Sequence, residues 1–100
     1  MSELIPLPKI GEILREEFMI PLCLSASAVA HGIHVPVSGI EDILNNGRIT
    51  PDISLRLGRY FGVSERYFLD MQADIDIRKA KRRLESETAE IIPYRGGSSD

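Results

Sequence analysis

The chain has 100 residues and a formal net charge of −3, which is enough for one domain with a modest core and too little for a second independent one. Its 12 Lys and Arg against 15 Asp and Glu exclude a protein that grips nucleic acid by bulk charge, so any such contact must come from a local patch or from dimerisation. The single cysteine, Cys23, excludes an internal disulfide, and no apolar run approaches the roughly 18 residues of a membrane span, so a cytoplasmic location and no membrane partner are expected.

Residues 1–8 are short, apolar and proline-containing, the pattern of a flexible arm. A first helix starts near Lys9, with Ile10, Ile13, Leu14 and Phe18 on one side and Glu12, Arg15, Glu16 and Glu17 on the other, and Pro21 ends it. Cys23, just before Leu24, reads as a small buried hydrophobe. Ser25 is a good N-cap for a second helix to about Gly32, His34 suits a left-handed turn residue, and Pro36 opens the first turn of a third helix. Across residues 22–47, Val29, Ala30, Ile33, Val35, Ile40 and Leu44 fall at intervals that give two short helices one shared inner face. That is a helix-turn-helix pattern, whose second helix is normally presented to the DNA major groove.

Asn45, Asn46 and Gly47 stop the third helix, and Thr50 with Pro51 starts a fourth. Ile53, Leu55, Leu57, Tyr60 and Phe61 are its expected core face, closing at Gly62. Ser64 is the expected cap of a fifth helix, in which Leu69, Ala73, Ile77, Ala80 and Leu84 recur every three or four residues. This helix is expected to run unbroken into the eighties, with Tyr67, Phe68 and Met71 completing the core. Residues 90–94 could be extended, and the terminal GGSSD lies in an expected disordered tail. The organisation is therefore an arm at 1–8, a helix-turn-helix domain at 9–72, a helical extension for dimerisation at 73–92 and a tail at 93–100, in an all-α five-helix bundle whose fifth helix is extended.

The chemistry expected of this frame is binding. Ser25, Ser27, Val37, Ser38, Gly39, Asn45, Asn46 and Arg48 are the candidate DNA contacts. Hydroxyls and N-terminal amides of the two helices suit phosphates, Val37 and Ser38 lie where base edges are read, and Arg48 is the nearest positive charge. Glu41 and Asp42 work against phosphate, although a carboxylate can accept from cytosine N4 or simply point along the solvated flank. Gly39 costs a helix roughly 1 kcal/mol relative to alanine, so little is gained there from a side chain.

Residues 78–83 carry five positive charges in six positions, either a solvated face paired with the acids that follow or a contact to flanking DNA or an acidic partner. Ile75, Ile77 and Leu84 come late enough to seek a symmetric partner, a fraying solvated helix being the alternative. His31 and His34 stand three apart with no carboxylate or thiol to complete a metal site. No serine has a base and orienting acid arranged with it, and there is no glycine-rich phosphate loop. No metal, cofactor, small-molecule substrate or catalysis is expected.

The segments IGEILREEFMIPLCLS, RITPDISLRLGRYFGVS and ERYFLDMQADIDI resemble successive blocks of the HigA-type antitoxins, also called the VapI group, within the Cro and phage-repressor (XRE, lambda repressor-like) superfamily. The resemblance spans roughly residues 9–80. It implies a five-helix protein that forms a homodimer around its C-terminal region, binds the operator of its own operon, and neutralises a RelE/HigB-like toxin, a ribosome-dependent mRNA endoribonuclease. In that family the position of Ala26 is usually glutamine and that of Gly39 a longer polar or basic residue, and both are truncated here. An RNA-directed toxin is basic, so the acids Glu12, Glu16, Glu17, Glu85, Glu87 and Glu90 become candidate toxin contacts. Two other functions stay open: an interaction module that neutralises its partner without DNA affinity, and a free-standing phage-type repressor.

Overall fold

A computed structural model describes residues 7–94. The expected arm and tail lie largely outside these residues. The chain is helical from Ile10: α1 Ile10–Leu14 runs into a π-helical turn Arg15–Met19, followed by α2 Ala26–Ile33, α3 Val37–Leu44, α4 Pro51–Phe61, α5 Tyr67–Arg83 and α6 Glu85–Ala89.

Capping chemistry sets most of these boundaries. Ser25 Oγ accepts from the Ala28 N–H at 3.1 Å and Thr50 Oγ1 from the Ile53 N–H at 3.3 Å, with Pro51 at the first position of α4. Pro36 is itself the N-cap of α3, one position earlier than expected. Ser64 does not cap α5; its hydroxyl accepts from the Arg66 N–H at 3.0 Å, a local turn, and the helix starts at Tyr67. At the other end α5 breaks at Leu84, where φ −106° and ψ 16° leave the helical region, and the separate short α6 follows. Beyond it, residues 91–94 form no strand.

Ile10, Leu14, Met19, Val29, Ala30, Ile33, Ile40, Ile43, Ile49, Leu57 and Phe68 form one buried cluster. The Ile20 N–H bonds back five residues to the Arg15 carbonyl at 2.8 Å. That wider turn lets neighbouring Phe18 and Met19 both reach inward, and Phe18 packs its ring 4.8 Å from Phe61 and 5.1 Å from Phe68. Gly11 is required by packing: a Cβ there would collide with the Ile43 carbonyl and lie 2.9 Å from Leu44 Cα, so α1 and α3 cross backbone to backbone.

Two expectations about burial are overturned. Leu55 and Tyr60 are 50% and 38% exposed, whereas Ser54, Leu57 and Gly58 are buried. The inner face of α4 runs through Ser54, Leu57, Gly58 and Phe61 at helical spacing, which leaves Leu55 and Tyr60 on its two flanks, and the Ser54 hydroxyl donates to the Glu65 carbonyl at 2.7 Å across the α4–α5 turn. Cys23 is exposed and takes a left-handed φ of 56°, so it is a turn residue and not a small core hydrophobe.

Candidate nucleic-acid interface

The helix-turn-helix is α2, a three-residue turn and α3. His34 takes the expected left-handed conformation (φ 62°), and the Val35 N–H closes the end of α2 on the Ala30 carbonyl at 3.0 Å. A long-range donor completes the turn: Arg56 of α4 places Nη1 2.7 Å from the Ile33 carbonyl oxygen and 3.2 Å from that of His34, while its Nε donates to Asp52 at 2.9 Å. A guanidinium is well suited to the carbonyl end of a helix, where the backbone dipole leaves partial negative charge. Nothing in the local sequence around residue 34 announces this residue.

Burial of Ile40 and Ile43 fixes the rotation of α3 and leaves Ser38, Glu41, Asp42 and Asn45 exposed. Val37 is half-buried against the core. At Gly39 an added Cβ would meet only Val35 Cγ2 at 4.0 Å, so packing does not demand the glycine. Ser27 is exposed, Ser25 is engaged as a cap, and Ala26 packs on the core.

Past α3, Asn46 has φ 81° and the Gly47 N–H returns to the Asp42 carbonyl at 2.6 Å. The connection to α4 is then clamped from α5. Gln72 is buried and pairs reciprocally with the Ile49 backbone, its Oε1 accepting from the Ile49 N–H at 2.7 Å and its Nε2 donating to the Ile49 carbonyl at 3.0 Å. One turn later Asp76 receives two bonds from Arg48, at 3.3 and 2.7 Å. The hydrogen bonds from Arg48, helped by the charges of Arg48 and Lys79, hold the Asp76 carboxyl below its ordinary value against the opposing effect of burial, and the same bonds raise Arg48. Arg48 is thus exposed beside α3 but already partnered, and sequence reasoning found neither Gln72 nor Asp76.

Ile75 is 8% exposed within its own chain, so it does not offer the free apolar surface expected of a dimer seam, whereas Ile77 is 58% exposed and Leu84 half-buried. Glu16, Glu17, Glu85, Glu87 and Glu90 are exposed; Glu12 also is, but its side chain accepts from the Lys9 N–H at 3.2 Å as part of the α1 cap. In the basic run, Arg78 pairs with Asp74 at 3.1 Å. His31 and His34 are both exposed, and among the described residues no three His, Cys, Asp or Glu side chains gather into a metal-sized group. No helix among them is long and apolar enough to cross a membrane.

No model of a protein family matches the chain. Virulence-associated protein I of Dichelobacter nodosus is 46% identical over 84 residues, covering 83% of this chain and 77% of that protein. The chain belongs to the HigA/VapI family of helix-turn-helix antitoxins. Solved members have the same fold. The Pseudomonas aeruginosa antitoxin HigA, in a structure with the higBA promoter, is 31% identical with a TM-score of 0.77 over 86% of this chain and 96% of that one. An addiction-module antidote protein of the HigA family from Coxiella burnetii is 32% identical with a TM-score of 0.79 over 90% of this chain and 100% of that one. The all-helical architecture described above is that of the HigA/VapI family.

Proposed function

We propose that this chain is the antitoxin of a toxin–antitoxin pair, that it represses its own operon by binding a palindromic operator as a homodimer, and that it neutralises a RelE/HigB-like mRNA endoribonuclease in the cytoplasm. The observation that carries the reading is the disposition of α3. Two buried isoleucines anchor it, a cap from Arg56 fixes the turn before it, and a polar edge from Ser38 to Asn45 is left facing outward. The relationship to HigA, solved with promoter DNA, supports placing that edge in a major groove.

Ser27, Ser38, Asn45, Asn46 and Arg48 are the proposed contacts with exposed side chains. Ser25 and Val37 contribute from the two helix starts, and Gly39 offers only close backbone approach. Ile77 and Leu84 form the proposed dimer seam without Ile75. The exposed acids Glu16, Glu17, Glu85, Glu87 and Glu90 are the proposed surface for a basic toxin. Glu41 and Asp42 keep non-specific affinity low, because carboxylates near the groove oppose phosphate.

The test is binding of the purified chain to the duplex upstream of its own gene and to a scrambled duplex of equal length, at two salt concentrations. Operator-specific binding that weakens with salt is expected. Equal or absent binding to both duplexes would replace the repressor with an interaction module that acts on its partner alone.

A further inference from the structure

Between the start of α1, the α3–α4 connection and the middle of α5 lies a cleft of about 170 Å³, several times the roughly 30 Å³ that a water occupies in the liquid. Its floor is buried Ile10, Gln72 and Ile75, and its rim carries three cations, Lys9, Arg48 and Lys79, against one carboxylate, Asp76. Arg48 also lines the neighbouring concavity formed by Gly39, Asp42, Asn45 and Asn46. It therefore stands on the wall between the cleft and the exposed edge of α3.

We propose that this cleft is a seat for one backbone phosphate of the operator, and that Asp76 occupies it in the free protein as a stand-in for that phosphate. The proposal rests on the DNA-binding reading above. A guanidinium fork accepts a carboxylate or a phosphodiester in the same two-bond geometry. The Arg48–Asp76 pair is 65% and 42% exposed at its two side chains, so it is weak and readily exchanged. Gln72 pins Ile49 next to it, so the exchange requires movement of the Arg48 side chain and not of the loop. Lys9 and Lys79 take no ion pair among the described residues, and their charges remain to hold the phosphate once Asp76 is displaced. Every duplex must therefore compete with an internal carboxylate, which lowers affinity without regard to sequence.

The experiment compares wild type, Asp76→Asn, Asp74→Asn and the double variant Arg48→Ala with Asp76→Asn, on operator and scrambled duplexes across a salt series. Asp74 makes the same charge change on the same helix but pairs with Arg78. Asp76→Asn is expected to bind both duplexes about fivefold tighter at low salt, the phosphate count being the same in both complexes, and its advantage is expected to narrow as added salt weakens the Arg48–Asp76 pair that wild type must first break. Asp74→Asn is expected to gain less than twofold, and the double variant to lose the gain. An Asp76→Asn protein that matches Asp74→Asn, or binds more weakly than wild type, overturns the seat while leaving the repressor intact. A wild-type chain that binds neither duplex overturns both.

Discussion

Two connections flank α3, and different bonds hold them. The turn before it is three residues long, with His34 in a left-handed conformation, the Val35 N–H returned to Ala30, and Arg56 donating to its last two carbonyls. The connection after it, residues 45–50, closes on Asp42 at one end but is otherwise fastened to α5 by side chains that lie 23 and 28 positions further along the chain. The first positions α3 against α2, and the second positions Arg48, beside α3, against the rest of the bundle. Orientation of the recognition helix and placement of its charge are thus separable.

The largest effect should come from breaking the second connection at Gln72. Replacing it with leucine preserves bulk but leaves both the N–H and the carbonyl of buried Ile49 without a partner, and each stranded backbone group costs about 1–3 kcal/mol. Gln72→Leu is expected to lower unfolding free energy by about 2–4 kcal/mol in urea. A loss below about 1 kcal/mol would mean that water or a shifted loop satisfies Ile49, and that the connection is not clamped through this residue.

Breaking the first connection should cost less. Arg56→Ala removes bonds to carbonyls that water can reach in part, for about 1–2 kcal/mol. Hydrogen exchange gives the sharper reading: the amide of Val35 should lose protection while that of Ile49 keeps it. Equal loss at both amides would show that the two connections open together and erase the distinction between them.

The same contrast explains what was legible in the sequence. Ser25, His34, Thr50 and Pro51 act within four residues of their own positions, and local stereochemistry identifies them. Gln72, Asp76 and Arg56 look like ordinary polar residues on amphipathic helices; their partners are fixed only once the helices pack. Apolar character found Leu57 and Phe68 but misplaced Leu55 and Tyr60, which flank the helical face that small Ser54 and Gly58 share with Leu57 and Phe61. A position late on the fifth helix suggested Ile75 for a dimer seam, although it is buried within its own chain beside the start of α1 and the α3–α4 connection. The candidate site was legible as a helix and its edge; the arrangement that holds Arg48 beside it was not.

The smallest effect belongs to the outer bond of the second connection, and it separates the two bonds that α5 makes. Asp76 has a depressed folded-state pKa because Arg48 hydrogen-bonds its carboxylate. A depressed carboxylate contributes stability that is present above the unfolded-state pKa, near 4, and is lost as pH falls through the lower folded value. The stability difference between wild type and Asp76→Asn should accordingly be small and constant from neutrality to about pH 5, shrink below about pH 4, and diminish in high salt because both partners are exposed. Gln72 does not titrate, so the cost of Gln72→Leu should persist across the same range. If the Asp76→Asn difference is unchanged at low pH, the pair contributes nothing through its charge, and Gln72 alone holds the connection that carries Arg48.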